Sequence, residues 1–420
     1  AVTLNGNADV LAAALDGTVT DASNDKIEGN ITIAAAGGNP DATELKTIND
    51  GTNATIIVPS KAVALSGTAA VLAAALDGTV TDAAGDKIEG NVTISSTPTE
   101  AQLKTINDGT NASIQIPAAN QTFTGTAAVL AAALTGTVTG PLAAALSGAV
   151  SVSDGAGESV AATLLSTIAT GTSGTVTVGA AINITGTADQ VVAALDTNGV
   201  VASTATITLD DTPTVTELQT LNGKTSGAIK IANGAITYSA NADVLAAALD
   251  GTVTDGAGNS LTGNMTIAAA GGNPNATQLQ TINNATTGTV FVPAKAVDLT
   301  GTRAVLVEAL AGTVTDTAGD KITGTVTLTA AGGDPTAAQL KILNDSIDGA
   351  IVVPDKTVQL SGTATVLAAA LDGTVTNTAN EKINGTVTIT GANPTGAELA
   401  TINNGTDASM ILPSTAFLLT

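Results

Sequence analysis

The side chains with the most chemical potential in this sequence are carboxylates grouped in a recurring loop. It reads Thr-Asp-Ala-Ser-Asn-Asp-Lys-Ile-Glu-Gly over Thr20–Gly29 and Thr-Asp-Ala-Ala-Gly-Asp-Lys-Ile-Glu-Gly over Thr81–Gly90. Weaker copies stand at Thr254–Gly263, Thr315–Gly324 and Thr376–Gly385. Carboxylate and backbone carbonyl oxygens are the ligands calcium takes, which makes Asp21, Asp25, Glu28, Asp82, Asp86, Glu89, Asp316 and Asp320 its candidate ligands and calcium the one candidate cofactor. The spacing is not that of an EF-hand, and Asn377 replaces the first Asp in the last copy. The competing reading is a solvated acidic turn in which Lys87 offsets the acids.

Two other patterns have a chemical and a bland reading. Thr79, Thr81, Thr93, Thr177, Thr266, Thr327 and Thr388 form outward rows suited to gripping a surface, glycan or ice, although threonine is also at home on any half-exposed strand. Sequons such as Asn30-Ile31-Thr32 and Asn91-Val92-Thr93 recur with the repeat that contains them. Catalysis finds no support: the chain has no His for a triad, no Cys nucleophile and no phosphate-binding Gly-Lys-Ser/Thr loop. The expectation is a protein that is not an enzyme.

Charge points the same way. Lys and Arg number 13 against 36 Asp and Glu, a net charge of −23, and Arg303 is the sole arginine. Nucleic-acid backbones demand clustered basic residues, so no nucleic-acid partner is expected. No apolar run reaches the roughly 18 residues of a membrane span. With 44% hydrophobic residues but three Phe, one Tyr and no Trp, the core must be built from small aliphatics in thin, regular layers.

The elements that position these loops repeat. An L-A-A-A-L anchor begins at Leu11, Leu72, Leu130, Leu245 and Leu367, with variants at Val191 and Leu306. A second anchor, T-E-L-K-T-I-N at Thr43–Asn49 and A-Q-L-K-T-I-N at Ala101–Asn107, recurs around Leu165, Leu218, Leu279, Leu340 and Leu399. The reading is seven modules, at 1–61, 62–120, 121–180, 181–234, 235–295, 296–356 and 357–420, each a duplicated half of strand, helix and strand. Val71, Leu72 and Leu76 are expected to line one helix face, and Thr97-Pro98-Thr99-Glu100 to supply an N-cap, a proline at N1 and a glutamate at N3. Asp77-Gly78, Asp250-Gly251 and Asn404-Gly405 are expected left-handed helix stops. Asn233-Gly234 between Ile231 and Ile236 predicts a hairpin, and Pro59-Ser60-Lys61 and Pro293-Ala294-Lys295 fill the same slot.

The fold class expected is α/β, an elongated array of ββα half-repeats with helices on one face of the sheet, as a two-layer ribbon or a solenoid. Two strands span about 9.6 Å and one helix about 8–10 Å, so one helix per two strands keeps the layers in step. Module three departs at Gly140–Leu146, which inserts a second L-A-A-A-L copy, and module four has a shortened loop around Asp196–Ala202. Ala1–Gly6 matches a module start and Ala416–Thr420 reads as the start of another. Open ends of that kind predict either a longer array or protomers joining end to end, with the chain itself as its partner.

Ser66–Leu76, Gly90–Ile94 and Pro98–Asn107 together resemble repeats of very large bacterial surface proteins, of the cyanobacterial S-layer, haemolysin-like and adhesin kinds. That resemblance spans the chain and implies secretion, surface display and often calcium, though the G-G-x-G-x-D nonapeptide of haemolysin-like proteins is missing. The function expected is an extracellular or cell-surface structural repeat protein, a subunit or segment of a fibre, sheath or surface layer. The alternative is an adhesin or a calcium-, glycan- or ice-binding module.

Overall fold

Strand, helix, strand is the recurring local unit, and among the described residues fourteen α-helices alternate with strands of two to four residues. The structure is a computed structural model in which residues 2–20 and 23–413 are described. It divides into two compact units, residues 1–186 with 190–206 and residues 187–189 with 207–420. None of the described helices is long and apolar enough to cross a membrane.

The helices form where the two anchors stand. In Ala69–Leu76 the buried side chains are Ala69, Leu72, Ala75 and Leu76, one face at 3.6-residue spacing, while Val71 is half-buried. Alanine on that face lets neighbouring helices approach closely. In Glu100–Gly109 only Leu103 and Ile106 are buried, and most of the other positions are polar. Each buried leucine or isoleucine contributes about 1.5–3 kcal/mol. Helices pack on each other in chain order within each unit, Ala42–Asp50 on Ala69–Leu76 and Ala337–Ser346 on Ala364–Leu371 being the most extensive examples.

Helix starts lie two residues later than the sequence suggests. Thr99, not Thr97, is the N-cap, and it forms a capping box with Gln102. Asp41, Thr214, Asn275, Thr336 and Thr395 do the same with the residue three positions on. The prolines sit just before the caps and are buried, the apolar N′ position of a hydrophobic staple. The helix stops also differ in part. Gly251 is left-handed at φ 82, Gly78 is not, and Gly405 is the last residue of its helix.

The strands pair in parallel. In the first unit, Leu4–Gly6, Ile31–Ile33, Ile56–Ile57 and Val80–Thr81 form one sheet. Leu65–Gly67, Val92–Ile94, Ile114–Gln115 and Val138–Thr139 form the next. A half-module with the T-I-N anchor gives both its strands to one sheet. A half-module with the L-A-A-A-L anchor gives its first strand to one sheet and its second to the sheet before. This alternation explains a period of two half-modules, and it supplies four strands for every two helices. The second unit repeats it, with Tyr238–Ala240, Met265–Ile267, Val290–Val292 and Val314–Asp316, then Leu299–Gly301, Val326–Leu328, Ile351–Val353 and Val375–Asn377.

The expected hairpin at Asn233-Gly234 is therefore absent. Neither residue takes the left-handed conformation that a two-residue type I′ turn demands. Instead Asn233 Oδ1 accepts from Ala235 N at 3.0 Å, and Gly234 O accepts from Thr262 N at 2.8 Å, so the chain runs on beside its neighbour. These segments lie so close that a Cβ at Gly90 or Gly324 would collide with the carbonyl oxygen of Val63 or Val297. Antiparallel contacts among the described residues are the isolated bridges Thr20–Lys26, Thr81–Lys87 and Thr376–Lys382, inside the acidic loops.

Candidate functional site

The acidic loop is a side-chain-capped turn. Asp82 Oδ1 accepts from Ala84 N at 2.8 Å and Asp86 N at 3.0 Å, and Asp82 N donates to Asp86 O at 2.9 Å. Asp316 does likewise with Ala318 N and Asp320 N, both at 2.9 Å, and Asn377 takes the same role with Ala379 and Glu381. An amide oxygen serves as well as a carboxylate in this role, which accounts for Asn377. The residue before the second acid turns left-handed, as Gly85 at φ 88, Gly319 at φ 85 and Asn380 at φ 60, so only Gly or Asn recurs there.

The remaining acids meet lysines from the Pro-x-Lys turn rather than from their own loop. Lys61 Nζ lies 3.3 Å from Glu89 and 3.9 Å from Asp86, Lys295 is 3.0 Å from Asp320, and Lys356 is 3.0 Å from Glu381. The hydrogen bond and charge of Glu89 hold the Lys61 ammonium above its usual range, and Asp320 does the same for Lys295. Lys356 holds the Glu381 carboxyl below the usual range. Lys87, expected to offset the acids, instead donates to Asp108 O at 2.6 Å. Asp86 and Glu89 are thus brought together around Lys61, while Asp82 and Asp316 are turned onto their own backbone. Asp25 and Glu28 sit on the exposed first copy, and Asp21 lies outside the described residues. Among the described residues, no three acidic groups converge as a metal cage.

The second feature is an asparagine the sequence reading passed over. The Asn of T-I-N reaches from one helix to the end of the next. Asn107 Nδ2 donates to Ala132 O and Thr135 O, both at 2.7 Å. Asn49 donates to Ala74 O and Asp77 O, both at 2.9 Å, and Asn344 to Ala369 O at 3.0 Å and Asp372 O at 2.9 Å. Asn222 bonds Ala247 O and Asp250 O, and Asn283 bonds Glu308 O at 2.8 Å. The last carbonyls of a helix have no partner within it, and one amide satisfies two of them. The signal was present as an Asn at a fixed place in every anchor but one.

No protein-family model matches this sequence, and no curated protein is similar to it. The geometry therefore carries the reading alone. A third clamp completes the junction. Thr110, 4% exposed, donates to Ile88 O at 2.6 Å and accepts from Ala112 N at 2.9 Å, tying a helix end to the end of the acidic loop. Thr52 and Thr406 repeat both bonds. Between successive helix ends lie open grooves, one of about 380 Å³ whose lining includes Lys87, Asn107, Asp108 and Thr135, another of about 390 Å³ whose lining includes Lys321, Asn344, Asp345 and Asp372. The side chains that meet there mostly bond backbone. What the repeated site does chemically is join one half-module to the next.

Proposed function

We propose that this chain is a non-enzymatic structural repeat protein, displayed outside the cell or on its surface. It acts as a subunit or segment of a fibre, sheath or surface layer in which modules stack end to end. The observation that supports this reading is the two-bond asparagine clamp, made at four junctions with the same pair of backbone acceptors. Because the acceptors are backbone carbonyls, the clamp is indifferent to the side chains of the next helix. An interface of that kind works between any two modules that share the backbone. The acidic loops, neutralised in part by Lys61, Lys295 and Lys356, serve in this reading as the solvated edge of the array and need no ion.

The test is electron microscopy of the concentrated chain, where filaments or sheets with a repeat set by the module are expected. Small-angle scattering that fits a compact monomer at every concentration would count against the proposal.

A further inference from the structure

We propose that this chain cuts itself at the peptide bond between Asp334 and Pro335, with Arg303 as the catalytic residue that polarises the bond. The two rarities of the sequence meet there. Asp334-Pro335 is its sole Asp-Pro pair, at a place held elsewhere by Asn39-Pro40, Asn273-Pro274 and Asn393-Pro394, and Arg303 is its sole arginine. Arg303 opens the helix Arg303–Leu310, where the matching helices open with Ala8, Ala69, Ala127, Ala242 and Ala364. Its Nη1 donates to Asp334 O, the carbonyl oxygen of the bond in question. The loop that brings them together is tight. Ala330–Gly332 makes one 3-10 turn, Gly333 is left-handed at φ 72, and a Cβ at Gly332 would lie 3.1 Å from Arg303 N. Asp334 is open to water, whereas Pro335 is buried. The loop at Gly272 is built alike, with Ala269–Gly271 as its 3-10 turn and Gly272 at φ 78. It carries Asn273 in place of the acid, with its Nδ2 bonded to Ala296 O at 3.2 Å, and Ala242 in place of the arginine. It is an internal control.

The chemistry needs nothing but these residues and water. An Asp carboxyl and the carbonyl carbon of the same residue close a succinic anhydride ring, so nucleophile and electrophile are permanently within reach of each other. One Oδ of the protonated Asp334 carboxyl bonds to the Asp334 carbonyl carbon. The negative charge that develops on the carbonyl oxygen is met by the guanidinium of Arg303, which is always protonated and already bonded to that oxygen. The C–N bond to Pro335 then breaks, and the proline nitrogen leaves as a secondary amine with the carboxyl proton. Water opens the anhydride and leaves Asp334 as a C-terminal residue. One water is consumed, and nothing is oxidised or reduced. Strand Val326–Leu328 stays paired with Ile351–Val353 across the cut, so the two pieces remain together while folded. The activity is a built-in opening of the chain at one loop, and it is independent of how modules stack.

The test is incubation of the folded chain in mildly acidic buffer, followed by denaturing electrophoresis and mass spectrometry. One fragment ending at Asp334 and one beginning at Pro335 are expected, with Asn273-Pro274 intact. Arg303→Ala, which restores the residue of the matching helices, is expected to slow the cut about 100-fold, the usual loss when a donor to the developing oxyanion is removed. Asp334→Ala is expected to abolish it, and circular dichroism checks that both variants fold. The parent chain unfolded in urea, where Arg303 no longer meets the carbonyl, is expected to cut as slowly as Arg303→Ala. A folded parent that yields no fragments overturns the proposal. So does a rate unchanged by Arg303→Ala or by urea, which would be the acid lability of any Asp-Pro bond.

Discussion

The junction between helices Glu100–Gly109 and Ala127–Leu134 differs instructively from the end of helix Ala162–Thr170. The first has a capping box at Thr99, and Asn107 donates to two carbonyls of the following helix. The second starts at Ala161 with no side-chain cap and carries Ala169 where Asn107 would stand. The segment that should receive the missing amide, Ala193–Thr197, is wound as a π-turn. Upstream, the strand Ser159–Ala161 replaces the proline-led cap and pairs with Asn183–Gly186, while Leu142 is left-handed at φ 57 and 98% exposed. Yet Leu165 and Ile168 are as buried as Leu103 and Ile106. Apolar packing is indifferent to these changes, and the polar clamps are what give way.

The largest expected effect tests that separation. Leu103→Ala and Leu165→Ala should each cost about 3 kcal/mol, since both side chains are at 0% exposure and each leaves a cavity. Urea unfolding monitored by circular dichroism would measure both. A loss at Leu165 less than half that at Leu103 would show that the irregular half-module is loosely packed as well as poorly capped.

Next come the clamps. Asn107→Ala should cost about 1–3 kcal/mol, because two carbonyls lose their partner at once. Ala169→Asn, the reverse change, should gain about 1 kcal/mol if the π-turn relaxes to bring its carbonyls within reach. No gain would mean that the π-turn is imposed by the chain after it rather than by the missing amide. Thr99→Ala should cost about 1 kcal/mol, and Ala161→Ser should give nothing comparable, because Ala161 is also the last residue of a paired strand.

The two junctions also show which parts of the fold can be read from residues alone. The anchors were legible because Leu72 with Leu76, and Leu103 with Ile106, recur at helical spacing, and both kinds of helix lie on them. Strand direction was not legible. A strand of three residues such as Ile31–Ile33 alternates the same way in a parallel or an antiparallel ladder, and Asn233-Gly234 carried the misleading hairpin signal. Helix starts slipped by two because Thr97-Pro98 and Thr99-Glu100 satisfy the same N-terminal preferences. The asparagine recurs in the sequence but its partners were not legible, because Asn107 bonds residues 25 and 28 positions away, which only the fold brings together. The acidic turn was read correctly as a loop, but its lysine partner comes from Lys61, an equally distant position.

The smallest effect concerns pH, and it too sets a regular junction against an exceptional one. At the start of the T-I-N helices, the third residue reaches back to the preceding helix. Glu398 accepts from Thr365 Oγ1 at 2.7 Å, and Gln278 bonds Asp243. At the corresponding place Glu217 meets Asp189, a second carboxyl. Their hydrogen bond and mutual repulsion raise Asp189 above the usual carboxylate range. Burial alone would raise Glu217, yet the hydrogen bonds from Thr214 and Asp189 hold it lower. Glu398 is lowered by the bonds from Thr395 and Thr365. The Asp189 and Glu398 carboxyls should therefore respond to pH with opposite sign. Asp189 binds its proton more tightly folded than unfolded, so its contribution is full below the ordinary Asp range and disappears as pH rises through the raised value. Glu398 contributes above the ordinary Glu range and loses that contribution as pH falls through its lowered value. Asp189→Thr, which restores the Thr–Glu pairing of the regular junction, should gain stability over the parent as pH rises through the acid range. Glu398→Gln should lose least at the lowest pH. Denaturation midpoints of both variants from about pH 3 to pH 7 give the comparison, and parallel profiles would mean that Asp189 and Glu217 share no proton.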